Sequence, residues 1–313
     1  MGLATSKRRH PRAGNLRHLR YKRLMPPLAA VIRLLRPHQW VKNAFLAAPL
    51  FFTPSEVDAA SVTAVALGFV AFCLVSSGVY VVNDLADRES DRLHPAKRTR
   101  PIAAGQVGVP MALVLAILLV GGGGVVAVAL SASFASVLGV YLLLNLAYSL
   151  RLKHVAIVDV LLIAAGFVLR VEGGAALAGI VPTPWIIIMT GLLALFLALA
   201  KRRDDLVLAL NNDHRRSLDG YNRSFLDAAV GVTLGALLVS YLVYTTDEQV
   251  MQRLGSRNLF YTAPFVVAGL LRYLQITLVE ERSGAPTRIV LTDGFLIATV
   301  LGWIVVFAAL IYS

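Results

Sequence analysis

The sequence predicts an all-α protein whose helices cross a membrane several times. Its mean hydropathy is +0.70 and 57% of its 313 residues are hydrophobic, which is more than water-soluble domains carry. Apolar stretches of about twenty residues recur along the chain, and this is the length that a helix needs to cross a bilayer. We therefore expect about nine transmembrane helices around a polar cavity that faces the cytoplasm.

Residues 1–24 form a basic tail ahead of the first apolar stretch. Through residue 23 the tail carries eight Lys and Arg residues and no acid. It lacks the apolar core of a cleavable signal peptide and an aromatic platform for nucleic-acid bases, so we expect no nucleic-acid partner. The composition predicts a disordered cytoplasmic segment near anionic lipid headgroups, followed by the transmembrane domain, residues 25–313.

The first predicted span, residues 29–52, carries many polar residues in its first half and is uniformly apolar only from residue 44 onward. Lys42 and Asn43 would lie below the headgroups and need partners there. For Lys42, snorkelling to water and ligand binding are equally open. Eight more predicted spans follow, at residues 61–82, 109–130, 133–150, 155–178, 184–200, 225–245, 259–279 and 290–312.

Lys and Arg are concentrated in alternate loops between these spans. The positive-inside rule places such loops, together with the basic tail, in the cytoplasm. The loops are residues 83–108, 151–154, 201–224 and 280–289. We therefore expect a multi-pass protein of the plasma membrane with a cytoplasmic N-terminus; the sequence leaves homo-oligomerisation open.

Four acidic and amide side chains lie where the second span ends. In a helix, Asn83, Asp87 and Asp91 are spaced i, i+4, i+8, and Asp84 can share their face. Their mutual repulsion would be relieved by a cation, and hard oxygen ligands suit Mg²⁺ bound to phosphates. A solvated charged loop is the alternative interpretation.

Two cationic pairs lie on the same predicted side of the membrane. Lys97 and Arg98 follow the acidic run, and Lys201 and Arg202 end the sixth span. Acidic oxygens beside cations are what a metal–diphosphate site needs. Both pairs would also serve as ordinary topology signals.

A further polar group surrounds the start of the fifth span. Tyr148 and Lys153 precede it, Asp159 lies near its cytoplasmic end, and Arg170 lies eleven residues deeper, roughly 16 Å along the helix. A charge at that depth must be paired or solvated. For Arg170, substrate binding and a purely stabilising ion pair between helices both remain open.

The run from Asn83 to Asp91 reads N-D-x-x-D-x-x-x-D, which resembles the first aspartate-rich motif of the UbiA-type prenyltransferase family. The resemblance implies an all-helical bundle around a central cavity. It also implies that the motif binds a diphosphate through Mg²⁺. The nine predicted spans fit this family.

Several runs resemble the branch of this family that transfers phosphoribosyl groups; they are residues 36–43, 79–84, 94–98, 100–105 and 148–154. This branch joins phosphoribosyl diphosphate to a polyprenyl phosphate such as decaprenyl phosphate, releases diphosphate, and feeds cell-wall arabinan synthesis. The alternative is a UbiA-type enzyme that moves a polyprenyl group from its diphosphate to an aromatic acceptor. A transporter of anionic metabolites is a third interpretation, without support from an internal repeat.

One departure from the usual family pattern concerns the second aspartate-rich motif, D-x-x-x-D. Asp204 is followed four residues later by Leu208, and Asp205 by Ala209. A second acidic metal site of the usual form is therefore missing, and Lys201 and Arg202 occupy its place. Cations there suit additional phosphates.

The resemblance implies a role for each candidate residue. Catalytic acids are Asp84, Asp87 and Asp91. The metal ligands are Asn83 and Asp87, assisted by Asp84 and Asp91. Lys42 and Tyr80 would position the donor, and Asp159 would order Lys153 or bind ribose hydroxyls. The remaining candidates for binding the two phosphorylated substrates are Lys97, Arg98, Tyr148, Lys153, Arg170, Lys201 and Arg202.

Overall fold

The computed structural model describes residues 28–95, 97–211 and 220–312; the basic tail, residues 1–24, lies outside these ranges. Over the described residues the chain is helical and has no β-strand, which confirms the all-α class. Eight of the described helices are long and apolar enough to cross a membrane. They are α1 (Ala59–Ala86), α2 (Val109–Leu130), α3 (Ala132–Leu150), α4 (Val158–Ala178), α5 (Pro184–Asn211), α6 (Arg223–Thr246), α7 (Ala263–Leu278) and α8 (Gly294–Tyr312). The seventh span includes the 3₁₀ turn Leu259–Thr262 that leads directly into α7.

The first predicted span, residues 29–52, differs from these because it is not one helix. It consists of an α-helix (Leu28–Leu35), a 3₁₀ helix (Pro37–Ala47) and a short α-helix (Ala48–Phe51), which we call the broken segment. Arg36 takes a left-handed conformation with φ 53°, and Pro37 has no N–H to continue an α-helix. The residues that made the first half of this stretch unusual therefore lie in a 3₁₀ helix, where side chains follow a different periodicity.

The broken segment nevertheless runs from one end of the bundle to the other. Arg36 hydrogen-bonds to Asp84 near the end of α1, whereas Phe52 packs against Phe307 and Tyr244 at the opposite end. The 3₁₀ and α rises give Pro37–Phe51 a length of roughly 28 Å, close to the thickness of a hydrocarbon core. This segment is not among the eight helices that are long and apolar enough to cross a membrane, so the predicted first span is not present as a single spanning helix.

Helix α4 lies between two packed groups of helices. A core cluster that includes Phe196, Leu226 and Tyr273 joins α4 to α5, α6 and α7, while Phe72 and Phe134 belong to the cluster formed with the broken segment, α1, α2 and α3.

The broken segment reaches α4 because of a glycine. Gly174 is buried in α4, and a Cβ at this position would overlap the backbone carbonyl of Leu46. Such close approach of two backbones is typical of packed membrane helices, which use small residues at their contacts. The contact holds the 3₁₀ helix, and with it Lys42 and Asn43, against the centre of the bundle.

Two helices extend beyond their apolar stretches, and this decides where the polar residues lie. Helix α1 continues to Ala86, so Asn83 and Asp84 are helical, and α5 continues past residue 200, so Lys201 and Asp205 are helical as well. The prediction that the charged groups after the second, fourth and sixth spans share one face of the protein is confirmed, because direct hydrogen bonds join them. We call this end of the bundle the polar end.

Candidate functional site

The end of α1 places the four predicted metal ligands within two helical turns. Asn83 and Asp84 lie in its last turn, Asp87 is its C-cap residue, and Asp91 lies in the following short helix, Arg88–Leu93. Asp84 and Asp91 are buried, whereas the Asp87 side chain is 25% exposed. A helix C-terminus carries partial negative charge, so these oxygens lie where a cation is favoured.

Two arginines balance the charges of the buried pair. Arg36 Nη2 donates to Asp84 Oδ1 at 2.6 Å; Arg100 Nη1 donates to Asp84 Oδ1 at 3.1 Å and to Asp91 Oδ2 at 2.7 Å. Charge-assisted bonds of this kind are strong and directional. In this arrangement Asp84 and Asp91 hold the two arginines, a role that the sequence analysis did not give them.

Asn83 and Asp87 are the members of the motif that remain for a metal ion. Asn83 Oδ1 is buried and accepts no hydrogen bond from the described residues, which costs free energy unless a ligand or water satisfies it. Asp87 accepts a short hydrogen bond from Lys153 Nζ. An amide oxygen and a carboxylate one turn apart fit Mg²⁺, which takes few protein ligands when substrate phosphates and water complete its shell.

A larger metal cage is not present in the part of the chain that the structure describes. No group of three or more His, Cys, Asp or Glu side chains there is arranged to hold a metal ion. The fit to a metal therefore depends on Asn83 and Asp87 together with oxygens from outside the protein.

A second acid–cation group joins α3, α4 and α5. Asp159 is buried at the start of α4, and its Oδ2 accepts a hydrogen bond from Arg202 Nε at 2.6 Å. Arg202 Nη2 lies 3.4 Å from the Tyr148 hydroxyl, so Tyr148 and Arg202 meet as the sequence analysis expected of site residues. These contacts leave the outer edge of the guanidinium weakly engaged.

Asp159 does not fix the position of Lys153, which was one of the two roles expected of it. Lys153 lies in the 3₁₀ turn Leu152–His154 between α3 and α4 and bonds Asp87, not Asp159. The carboxylate of Asp159 is instead occupied by Arg202. Lys201 bonds Asp205 of its own helix at 3.0 Å and is 44% exposed, so it can exchange this partner for a ligand at little cost.

Arg170 is buried at the centre of the bundle without an acidic partner. Its Nε donates to Asn43 Oδ1 at 2.8 Å, its Nη1 to the Gly166 carbonyl at 2.6 Å and its Nη2 to the Tyr141 hydroxyl at 3.0 Å. No carboxylate among the described residues pairs with it, so the ion-pair alternative does not describe this arrangement. Neutral acceptors orient the guanidinium and leave its charge unbalanced.

Lys42 adds a second unbalanced charge in the same region. It has no hydrogen bond or ion pair with any residue that the structure describes, and it lies near enough to Arg170, Lys201 and Arg36 for their charges to act on its ammonium group. Arg36 and Lys201 have carboxylate partners, so Lys42 and Arg170 are the two cations of this group without one among the described residues. Cations brought together in this way are costly unless an anion or water reaches them.

The other predicted substrate residues lie around this region. The Arg36 guanidinium is 4.9 Å from the centroid of the Tyr80 ring, in a cation–π contact. Lys97 and Arg98 are exposed, and their side chains form no ion pair within the described ranges. Both are free to meet a ligand from water or a lipid surface.

Sequence reasoning did not assign roles to Arg36, Arg100 and Tyr221. Arg36 and Arg100 each precede a proline inside a run that carries the family resemblance, which is the signal that could have found them. Tyr221 follows a polar loop without a motif, and nothing in the sequence marked it. Its hydroxyl donates to Asp159 Oδ1 at 2.5 Å, and burial together with this hydrogen bond raises the pKa of Tyr221 to about 12.

A separate small cleft lies at the opposite end of the bundle, and the broken segment, α5 and α6 contribute to its walls. Phe52 and Tyr244 line it, and the Tyr244 hydroxyl is buried without a hydrogen-bond partner among the described residues. The predicted site residues do not line this cleft.

Comparisons with known proteins agree with this architecture. The sequence matches the UbiA prenyltransferase family over residues 40–290. The decaprenyl-phosphate phosphoribosyltransferase of Mycolicibacterium smegmatis is 36% identical over 298 residues, covering 91% of this chain and 93% of that protein. The enzyme of the same name from Corynebacterium glutamicum is 34% identical over 307 residues, covering 93% and 90%.

A solved structure shares the fold. The UbiA homolog from Archaeoglobus fulgidus bound to GPP and Mg²⁺ has a TM-score of 0.69 at 20% sequence identity, covering 91% of this chain and 100% of that chain. The family match spans most of the chain, and the relatives align over nearly all of it, so the resemblance noted in the sequence is confirmed. The chain belongs to the UbiA prenyltransferase family.

Proposed function

We propose that this protein transfers the 5-phosphoribosyl group from phosphoribosyl diphosphate to a polyprenyl phosphate such as decaprenyl phosphate, releasing diphosphate. Two relatives aligned over 91% and 93% of the chain carry the name decaprenyl-phosphate phosphoribosyltransferase. The observation that carries the proposal is the pair of cations without acidic partners among the described residues, Lys42 and Arg170, whose charges act on one another. Arg36, whose charge also acts on Lys42, bonds Asp84, the residue next to Asn83. Two phosphorylated substrates would supply the missing negative charge.

The neighbourhood of the absent second motif supports this choice. Asp204 accepts a hydrogen bond from the Ser283 backbone N–H at 3.2 Å and so holds the loop after α7. Asp205 bonds Lys201 and lies 3.4 Å from Arg202. Asp204 is thus engaged by backbone, Asp205 is paired with cations of its own helix, and neither has a second acid four residues later. Cations at this place suit a phosphate better than a metal-bound prenyl diphosphate.

Asn83 and Asp87 would hold Mg²⁺ on the donor diphosphate. A bound Mg²⁺ would withdraw negative charge from the departing diphosphate. Lys153 contacts Asp87 in this structure, so it is placed to donate hydrogen bonds to the same diphosphate. Asp84 and Asp91, through Arg36 and Arg100, hold two further cations at the edge of this group.

The remaining cations would divide the other phosphates between them. Lys42, Arg170, Lys201 and Arg202 would bind and orient the 5-phosphate of the donor and the phosphate of the lipid. The lipid phosphate oxygen attacks C1 of the ribose, and the bond from C1 to the diphosphate breaks. This nucleophile is already anionic at neutral pH, so a strong general base is unnecessary. Lys97 and Arg98 are exposed at the entrance for anionic groups.

We propose further that the polar end faces the cytoplasm from the plasma membrane. The basic loops that join the helices at this end support that orientation. The role in arabinan synthesis, homo-oligomerisation and the disordered tail stay predictions.

The test is lipid-dependent diphosphate release by purified full-length protein in detergent or nanodiscs. Phosphoribosyl diphosphate, decaprenyl phosphate and Mg²⁺ should together give release, and omission of any one should abolish it. Asp87→Asn should lose at least about a hundredfold in kcat/KM, the scale of removing one strong electrostatic contact to a transition state. Glu89→Gln is the matched control, because Glu89 is 74% exposed and pairs only with surface arginines.

The outcome separates the proposal from its rival. If the wild-type protein releases no diphosphate from this pair but reacts with a polyprenyl diphosphate and an aromatic acceptor, prenyl transfer is the function. If neither pair reacts in folded protein and an anionic metabolite crosses proteoliposomes instead, the protein is a transporter.

A further inference from the structure

Tyr221 ties together three parts of the polar end. Its hydroxyl donates to Asp159 Oδ1 at 2.5 Å and accepts a hydrogen bond from the Ile157 backbone N–H at 2.6 Å. The other oxygen of Asp159 holds Arg202 Nε at 2.6 Å. The Tyr221 hydroxyl is thus linked to the Arg202 guanidinium on α5 through the carboxylate of Asp159.

The backbone on both sides of this contact is unusual. Ile157, a β-branched residue, has φ 70° and ψ −49° directly before α4, a conformation that such residues rarely adopt and that clusters at functional sites. Gly220 has φ 97°, and a Cβ there would lie 2.8 Å from the Cβ of Ala156. The two loops therefore approach closely only because residue 220 is glycine, and this approach brings Tyr221 to Asp159.

The hydrogen bond from Arg202 to Asp159 restricts the orientation of the Arg202 guanidinium. With Nε bound to Asp159, the guanidinium cannot rotate freely, and its two Nη groups have only long contacts, each at 3.4 Å, to Tyr148 and Asp205. Arginine offers phosphate two parallel donors when its plane is fixed. The pKa of Tyr221, raised to about 12, keeps the hydroxyl a donor at every physiological pH.

We propose that Tyr221 is a positioning residue: through Asp159 it sets the plane of Arg202 so that both Nη groups face a substrate phosphate. This rests on the proposed function, since the phosphate belongs to one of the two substrates named above. Tyr221 itself does not touch the reacting atoms.

The test is a double-mutant cycle with Tyr221→Phe, Arg202→Gln and the combined variant. The KM for each substrate and kcat are measured, together with the affinity for inorganic phosphate by isothermal titration calorimetry. Arg202→Gln should raise the KM of one substrate about tenfold or more, and Tyr221→Phe should raise the same KM by about fivefold to tenfold, with a smaller change in kcat. In the Arg202→Gln background, Tyr221→Phe should add less than about twofold.

A purely structural tyrosine would behave differently. Tyr221→Phe would then change the KM by equal factors in both backgrounds, or leave both KM values unchanged, and either result overturns the inference. Tyr244→Phe is the matched control, because its hydroxyl has no partner among the described residues; its constants should stay within about twofold of wild type.

Failure of the proposed function would be seen separately. If wild-type protein shows no turnover, the cycle is measured from the binding of inorganic phosphate alone. Non-additive loss of that binding supports the positioning role, whereas additive loss, unchanged binding or no binding to wild-type protein overturns it.

Discussion

Replacing Asp84 by asparagine should destabilise the protein, whereas replacing Asp87 by asparagine should spare stability and remove metal binding. The two residues are three positions apart on one motif, and sequence reasoning gave both the same kind of role. Their surroundings differ, because the Asp84 side chain is 2% exposed and bonds two arginines, while the Asp87 side chain is 25% exposed and bonds one lysine.

The loss of stability expected for Asp84→Asn follows from these contacts. Its Oδ1 accepts bonds of 2.6 and 3.1 Å from Arg36 and Arg100, and a hydrogen bond to a charged group contributes about 1.5–3 kcal/mol. Asparagine keeps an oxygen for one of them, and both arginines are a fifth to a quarter exposed and regain water. The net loss should be about 2 kcal/mol, which lowers Tm by about 3 °C for a chain of this length.

The loss of stability expected for Asp87→Asn is smaller. A partly exposed ion pair contributes less than about 1 kcal/mol, so Tm should fall by less than about 2 °C. The carboxylate charge that would hold the metal is removed, so affinity for Mn²⁺ should fall at least about tenfold.

Both effects are measured on the same preparations. Thermal unfolding is followed by intrinsic tryptophan fluorescence in one detergent, and Mn²⁺ binding is followed by electron paramagnetic resonance without substrates. The reasoning is refuted if Asp87→Asn lowers Tm as much as Asp84→Asn does. It is refuted equally if Asp84→Asn stays as stable as wild type while metal affinity collapses.

Three further outcomes are expected. Gly174→Ala should destabilise the protein by about 1–3 kcal/mol, measured by thermal unfolding, because its methyl group would overlap the carbonyl of Leu46. Lys153→Met should raise Mn²⁺ affinity severalfold, measured without substrates, because it removes the cation that occupies the motif; turnover should fall. A neighbouring arginine side chain that bonds Asp293 lowers the pKa of Asp293 from 3.8 to about 2, so this carboxylate stabilises the fold fully above about pH 4 and progressively less down to pH 2. The Tm difference between wild type and Asp293→Asn should shrink over that range.

Each of these three predictions has its own control or contradicting result. Gly122→Ala lies in α2 with open space around it and should be neutral or stabilising by up to about 1 kcal/mol; equal losses at both glycines would contradict the packing argument. Unchanged or weaker Mn²⁺ binding in Lys153→Met would show that this lysine does not compete with metal. A Tm difference for Asp293→Asn that is constant from pH 6 to pH 2 would contradict the lowered pKa.

Some parts of the site could be predicted because their signals are local. The apolar stretches exceed the length of a membrane crossing, and Asn83 and Asp87 are one helical turn apart in the sequence itself. Lys201 and Arg202 follow an apolar stretch, so their place near the membrane boundary also follows from the order of residues. Arg170 could be recognised as a buried charge from its depth in α4.

Other parts depended on contacts that the sequence does not contain. The ion-pair alternative for Arg170 was excluded by its contacts with Asn43, Gly166 and Tyr141, which are neutral acceptors, two of them on other segments. Pro37 is a local signal for a break in the first span, but neither the left-handed conformation of Arg36 nor the 3₁₀ course of the next eleven residues can be read from the sequence. Backbone conformation at a single residue is decided by such tertiary contacts more than by propensity.

By itself the sequence determined the helical, membrane-spanning class, the family and the collection of acids and cations at one end, since hydropathy, helical spacing and loop charge are properties of neighbouring residues. The tertiary structure alone decided which oxygens are free and which charges are balanced. Lys153 and Asp87 are 66 residues apart, yet they share a hydrogen bond, and Arg202 and Asp159 are 43 residues apart. Electrostatic interactions depend on distance in space and on burial, and only the packing of the helices brings such pairs together.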